Sequence, residues 1–64
     1  MSDVFRVAFR PTAMVFASEA EARRYMESLP ADGPYWGTAV MERLYRGDTG
    51  RQRRERLGLK RVSL

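Results

Sequence analysis

One short helix is bounded at both ends by the residues around it, and the rest of the chain must supply the surface that buries it. Ser18-Glu19-Ala20-Glu21 fits a capping box. In that motif the serine hydroxyl accepts the backbone N–H of Glu21, and the Glu21 carboxylate accepts that of Ser18. Ala22, Tyr25, Met26 and Leu29 follow at the i, i+3, i+4, i+7 spacing of a buried stripe. Glu19–Arg23 and Arg23–Glu27 are i, i+4 pairs on the opposite face. Pro30 ends the helix, because the residue before a proline avoids the α region.

The segments before this helix alternate with period two. Val4–Phe9 is rich in β-branched and aromatic residues and sets Phe5, Val7 and Phe9 on one face. Arg10-Pro11-Thr12-Ala13 reads as a turn, and residues 13–17 as a short second strand with Met14 and Phe16 on one face. Residues 31–34 read as a loop. The stretch 35–46 fits two templates. As a strand it groups Trp36, Thr38, Val40 and Leu44 against Tyr35, Ala39, Met41 and Tyr45; as a helix it starts at Thr38 and is closed by Gly47. The strand is preferred, since a hairpin with one helix needs a third strand for independent stability.

Beyond the turn at 47–50 the pattern fades. Thr49-Gly50-Arg51-Gln52 fits a second capping box, with Gly58 as its C-cap, so 51–57 reads as a short helix almost without an apolar stripe. Residues 59–64 carry enough Val and Leu for a final strand or a docking tail. The expected fold is α+β. A small ββαβ domain over residues 1–47 has an antiparallel sheet and one packed helix, and an Arg-rich C-terminal segment over 48–64 follows it.

Sixty-four residues without a cysteine or a histidine leave no disulfide or thiolate chemistry and no usual zinc ligand set. A domain of this size buries only about 60% of the surface of its unfolded chain, so a partner or a second copy would help to stabilise it. Residues 1–6 carry interspersed charges, and no apolar run approaches the ~18 residues of a membrane span. The expectation is a cytoplasmic protein with no membrane partner.

Charge is uneven along the chain. Residues 1–45 hold five arginines against six acids, a net of −1; residues 46–64 hold six arginines and Lys60 against Asp48 and Glu55, a net of +5. Arg46, Arg51, Arg53, Arg54, Arg56, Lys60 and Arg61 thus form a candidate anion-binding segment. Arginine suits it, because its planar fork of donors matches phosphates and carboxylates. A solvated basic face explains the same composition, as does an overall preference for Arg over Lys.

Catalysis is not expected. The chain offers no His base, no Cys nucleophile, no metal-ligand cluster and no Gly-rich phosphate loop, and capping and i, i+4 pairing account for Glu19, Glu21 and Glu27. Asp48-Thr49-Gly50 spells an aspartic-protease triplet but follows Tyr45-Arg46-Gly47 instead of an apolar strand, and Arg46-Gly47-Asp48 spells an integrin tripeptide; both read as chance matches in a turn. No cofactor is expected.

A second candidate surface is the sheet itself. Apolar residues occur on both of its faces, one helix covers one face, and the remainder would stay open unless the C-terminal segment folds over it. Trp36 and Tyr45 are the aromatic anchors proposed for it. The reading is a small non-catalytic inhibitor, adaptor or accessory subunit of a nucleic-acid-handling complex, working through protein contacts. In size and composition this resembles phage-encoded inhibitors of host machinery, an analogy that no motif carries. Direct binding of DNA or RNA through the Arg-rich segment is the alternative. A structural subunit of a larger assembly and a homodimer are further options.

Overall fold

The computed structural model describes residues 3–9 and 11–63. The chain runs β1 (Val4–Phe9), β2 (Thr12–Phe16), α1 (Glu19–Ser28), β3 (Trp36–Arg46) and β4 (Gln52–Ser63). The four strands form one sheet in the order β2-β1-β3-β4, with every neighbouring pair antiparallel. The fold is α+β as expected, but its order is ββαββ. Arg10, part of the expected first turn, lies outside the described residues.

The first hairpin is tight. Phe9 pairs with Thr12, and the Thr12 hydroxyl donates to the Phe9 carbonyl at 2.8 Å. The helix starts where the sequence places it: Ser18 is extended, and its hydroxyl accepts the Glu21 N–H at 3.2 Å. Among the described residues only this half of the capping box forms. Ala22 and Met26 are buried, with Tyr25 and Leu29 packed beside them, so the expected stripe faces the sheet. Residues 36–46 are a strand, as preferred, with the alternation read from the sequence.

The expected basic tail with a short helix at 51–57 is corrected: those residues are the first half of β4, a twelve-residue strand. The turn chemistry decides this. Gly50 takes φ of 78°, its N–H donates to the Gly47 carbonyl, and the Gly47 N–H donates to the Arg51 carbonyl, both at 2.9 Å. A turn followed by a left-handed glycine closes a hairpin, so the glycine that resembled part of a helix cap starts the return strand. Leu57 is the extra residue of a bulge between the Met41–Gly58 and Glu42–Arg56 pairs, which lets it pack against the core.

The core lies between the helix and one sheet face. Val7, Ala39, Met41 and Val62, from three strands, meet Ala22 and Met26. Phe5, Phe9 and Phe16 close its margin, and the Phe16 and Tyr25 rings are 5.3 Å apart. Gly37 makes room here, since a Cβ on it would sit 2.6 Å from the Phe9 ring and the ring would have to shift. Two contacts tie β4 to the end of the helix. The Lys60 ammonium donates to the carbonyls of Met26, Glu27 and Leu29 at 3.1, 2.9 and 3.0 Å. Buried Ser63 donates its N–H to Pro30 and accepts the Gly33 N–H on its hydroxyl.

Lys60 therefore works as a helix C-cap supplied from a distant strand. It adds a donor to the Met26 carbonyl, which also accepts the Leu29 N–H, bonds the carbonyls of Glu27 and Leu29 at the helix end, and places positive charge at the negative end of the macrodipole. Lys60→Met keeps the side-chain stem and removes the cap. Charge-assisted hydrogen bonds of this kind contribute about 1–2 kcal/mol after allowance for solvent. The expected result is a fall in Tm of at least several degrees in a thermal melt. An unchanged Tm would show that the cap carries no stability.

Candidate functional site

The helix covers one side of the sheet and leaves the other open. Because side chains alternate along a strand, the residues facing away from α1 follow directly from the register. β1 contributes Val4, Arg6 and Ala8. β3 contributes Trp36, Thr38, Val40, Glu42, Leu44 and, at its end, Arg46, and β4 contributes Arg54, Arg56, Leu59 and Arg61 across from them. Ala13 and Val15 of β2 extend the face at the far edge.

Glu42 lies near the middle of this surface, with its side chain only 9% exposed. Its Oε1 accepts from Arg6 Nη1 at 3.1 Å and its Oε2 from Arg54 Nε at 3.0 Å. Burying a carboxylate is costly unless it is paired, and two guanidinium groups from the flanking strands pair it. In turn, the carboxylate holds both arginines down on the sheet. The described part of the face holds five arginines, Arg6, Arg46, Arg54, Arg56 and Arg61, against this one acid, a net of +4. Arg56 and Arg61 make no ion pair among the described residues.

At one end β3 runs on past the end of β1. Among the described residues the Ala8–Val40 pair is the last between β1 and β3, and Trp36–Thr38 pair only with β4. This notch forms an open groove of about 420 Å³, lined by Ala8, Phe9, Tyr35, Trp36, Gly37, Thr38 and Val40. Trp36 is 53% exposed, and the Arg61 guanidinium lies over its ring, 4.8 Å from the centroid. Leu59, 54% exposed, faces the same way beside Val40. Among the described residues the groove lining has no carboxylate, amine or imidazole, so what they offer a ligand is apolar area and the hydroxyls of Tyr35 and Thr38.

The residues singled out from the sequence fall into four places. Trp36, Arg54, Arg56 and Arg61 share the open face. Tyr45 and Arg53 are opposite each other on the other face, near the hairpin tip. Nine residues at about 3.3 Å each put Tyr45 roughly 30 Å along the strand from Trp36, so the two aromatics do not form one site. The Arg43 guanidinium covers Tyr45 at 4.3 Å. Arg43 is held by Asp3 at 2.7 Å, and the hydrogen bond that its guanidinium donates to that carboxylate is the main reason its pKa lies above the ordinary value. Arg46 ends β3 on the open face, paired with Gln52, and its Nη1 donates to the Gly50 carbonyl at 3.4 Å, while Arg51 belongs to the hairpin turn. Lys60, the remaining residue, spends its ammonium on the helix end.

Arg6, Glu42, Leu59 and Tyr35 were not singled out beforehand. Period two in β1 already set Arg6 on the face opposite Phe5, Val7 and Phe9, but its partner depended on the pairing of strands 36 residues apart. No family model, curated protein or solved structure matches the chain. The class of protein is accordingly defined by its architecture, a ββαββ domain with an arginine-rich, partly apolar sheet face left open.

If Glu42 anchors this face, Glu42→Ala leaves two guanidinium groups crowded on the sheet without their shared acceptor. The expected loss is about 1–3 kcal/mol in urea unfolding, below the range for fully buried pairs because Arg54 is largely exposed. Arg6→Ala should cost more than Arg54→Ala, since Arg6 is the better shielded partner. Equal stability of all three variants and the wild type would remove the network from the account.

Proposed function

We propose that this is a non-catalytic binding protein whose open sheet face docks onto a protein partner that presents apolar side chains ringed by carboxylates. One observation carries the reading: Trp36, Leu59 and Val40 are clustered on the same face as five arginines. Tryptophan and arginine are the residue types most enriched among interface hot spots. The groove beside Trp36 suits one apolar or aromatic side chain of the partner. Arg61 and Arg56, free of ion pairs among the described residues, suit acids around it. The protein fits an inhibitor, adaptor or accessory subunit, and a nucleic-acid-handling complex is the proposed setting because such assemblies combine protein surface with phosphate and acidic groups.

Direct nucleic-acid binding is the second reading, favoured by the net positive charge of the face. Its composition supports that reading less well. Sheet-based binders of single strands stack bases on several aromatic rings. Here the centre of the face is aliphatic side chains and an Arg–Glu–Arg network, and one side of the Trp36 ring is covered by Arg61.

Trp36→Ala and the pair Arg56→Ala with Arg61→Ala separate the two readings. For a protein partner, capture of the target from nuclease-treated lysate should weaken with Trp36→Ala by on the order of 2 kcal/mol, about thirtyfold in affinity. Anisotropy titrations with single-stranded and duplex oligonucleotides at physiological salt should show only weak binding. Tight oligonucleotide binding that drops with the arginine changes, loses its salt slope and ignores Trp36 would establish the second reading in its place.

A further inference from the structure

The two outer edges of the sheet are chemically opposite. β4 carries Arg53, Arg54, Arg56, Lys60 and Arg61 against Glu55. Charges, lysine above all, are how natural sheets keep exposed edges from pairing, and two antiparallel copies of β4 would set like charges against each other. β2 has no such guard. Residues 11–18 contain no charged side chain, no proline interrupts Thr12–Phe16, and its register with β1 is regular throughout. Val15 is 58% and Met14 45% exposed, so the strand presents apolar side chains toward both faces of the sheet.

The surroundings of β2 match a second copy of the same chain. A two-fold axis through Met14, the middle residue of Thr12–Phe16, is the one placement that pairs all five residues with their copies. It sets Met14 opposite Met14, Ala13 opposite Val15 and Thr12 opposite Phe16. On the helix side, an open groove of about 390 Å³ lies between β2 and α1, bordered by Phe16, Glu21, Arg24, Tyr25 and Ser28. It holds one acid and one base, so a two-fold operation brings Glu21 of one copy toward Arg24 of the other. The two β1 strands would then be three strand spacings apart, about 14 Å. The exposed Met14 side chains and the long Glu21 and Arg24 side chains are suited to fill that gap.

The geometry points to β2 as a self-association edge: two copies pair antiparallel through Thr12–Phe16 to make one eight-stranded sheet with both helices on the same side. Such an interface is isologous and closes on itself, which stops the open edge from propagating into fibres. It also leaves both basic faces open and side by side, so it operates independently of what those faces bind.

Sedimentation equilibrium of the intact chain across the micromolar range should give twice the chain mass. Met14→Lys sets like charges across the axis and should return the mass to that of one chain with unchanged far-UV circular dichroism. Leu59→Lys, on the open face, should leave the dimer intact. The protein has no native cysteine, so Met14→Cys offers a gentler test. Residues directly opposite on antiparallel strands are about 4.5–5.5 Å apart at Cα, within disulfide reach. Met14→Cys should therefore cross-link to a dimer with added oxidant, while Thr38→Cys should not. A wild-type chain that is monomeric throughout, or a dimer dissolved by Leu59→Lys but not by Met14→Lys, overturns the proposal.

Discussion

A single ten-residue helix has to close the core of a four-stranded sheet, and most features of this protein follow from that mismatch. Ten helical residues span about 15 Å, whereas the eleven and twelve residues of β3 and β4 span roughly 36–40 Å. The helix can shelter only the middle of the ribbon. The molecule is accordingly elongated, 44 × 18 × 16 Å, and its buried residues gather where α1 lies over β1 and β3. The β3–β4 hairpin projects past this cover and is dressed with arginines, because neither of its faces there has an apolar layer to join.

The same mismatch shapes the joints. With so little core, ties that are neither helix nor sheet ladder matter more. Lys60 reaches from β4 to three carbonyls at the end of α1, and Ser63 holds the loop that returns from the helix. Both contacts anchor the last strand, which contributes Val62 to the core. Charge thus has two roles within one strand: Lys60 on the helix side is structural, while Arg54, Arg56 and Arg61 on the other side give the open face its sign.

The open face is preorganised where it matters for binding. Glu42 draws Arg6 and Arg54 flat against the sheet, and Trp36 orients Arg61. Long side chains held in this way lose less entropy on docking than freely rotating ones. The notch beside Trp36 exists because β1 stops before β3 does, a difference in strand length and not a property of any one residue.

Much of the fold was legible because it rests on local rules. The helix and its N-cap, its stop before Pro30, the first hairpin and the alternation within 36–46 all come from spacing and capping chemistry among near neighbours. The segment 51–57 was not legible. A strand with solvent on both sides has no period-two apolar signal, and its Thr-Gly pair suits a helix cap as well as the hairpin turn that Gly50 closes. For the site, the sequence by itself determined the stock of side chains: a tryptophan, a dense run of arginines, no histidine and no cysteine. Tertiary structure alone decided which of them meet. Cross-strand register separates Trp36 from Tyr45, joins Glu42 to Arg6 and Arg54, and turns Lys60 inward, because partners in an antiparallel sheet are set by pairing between distant segments and not by their spacing along the chain.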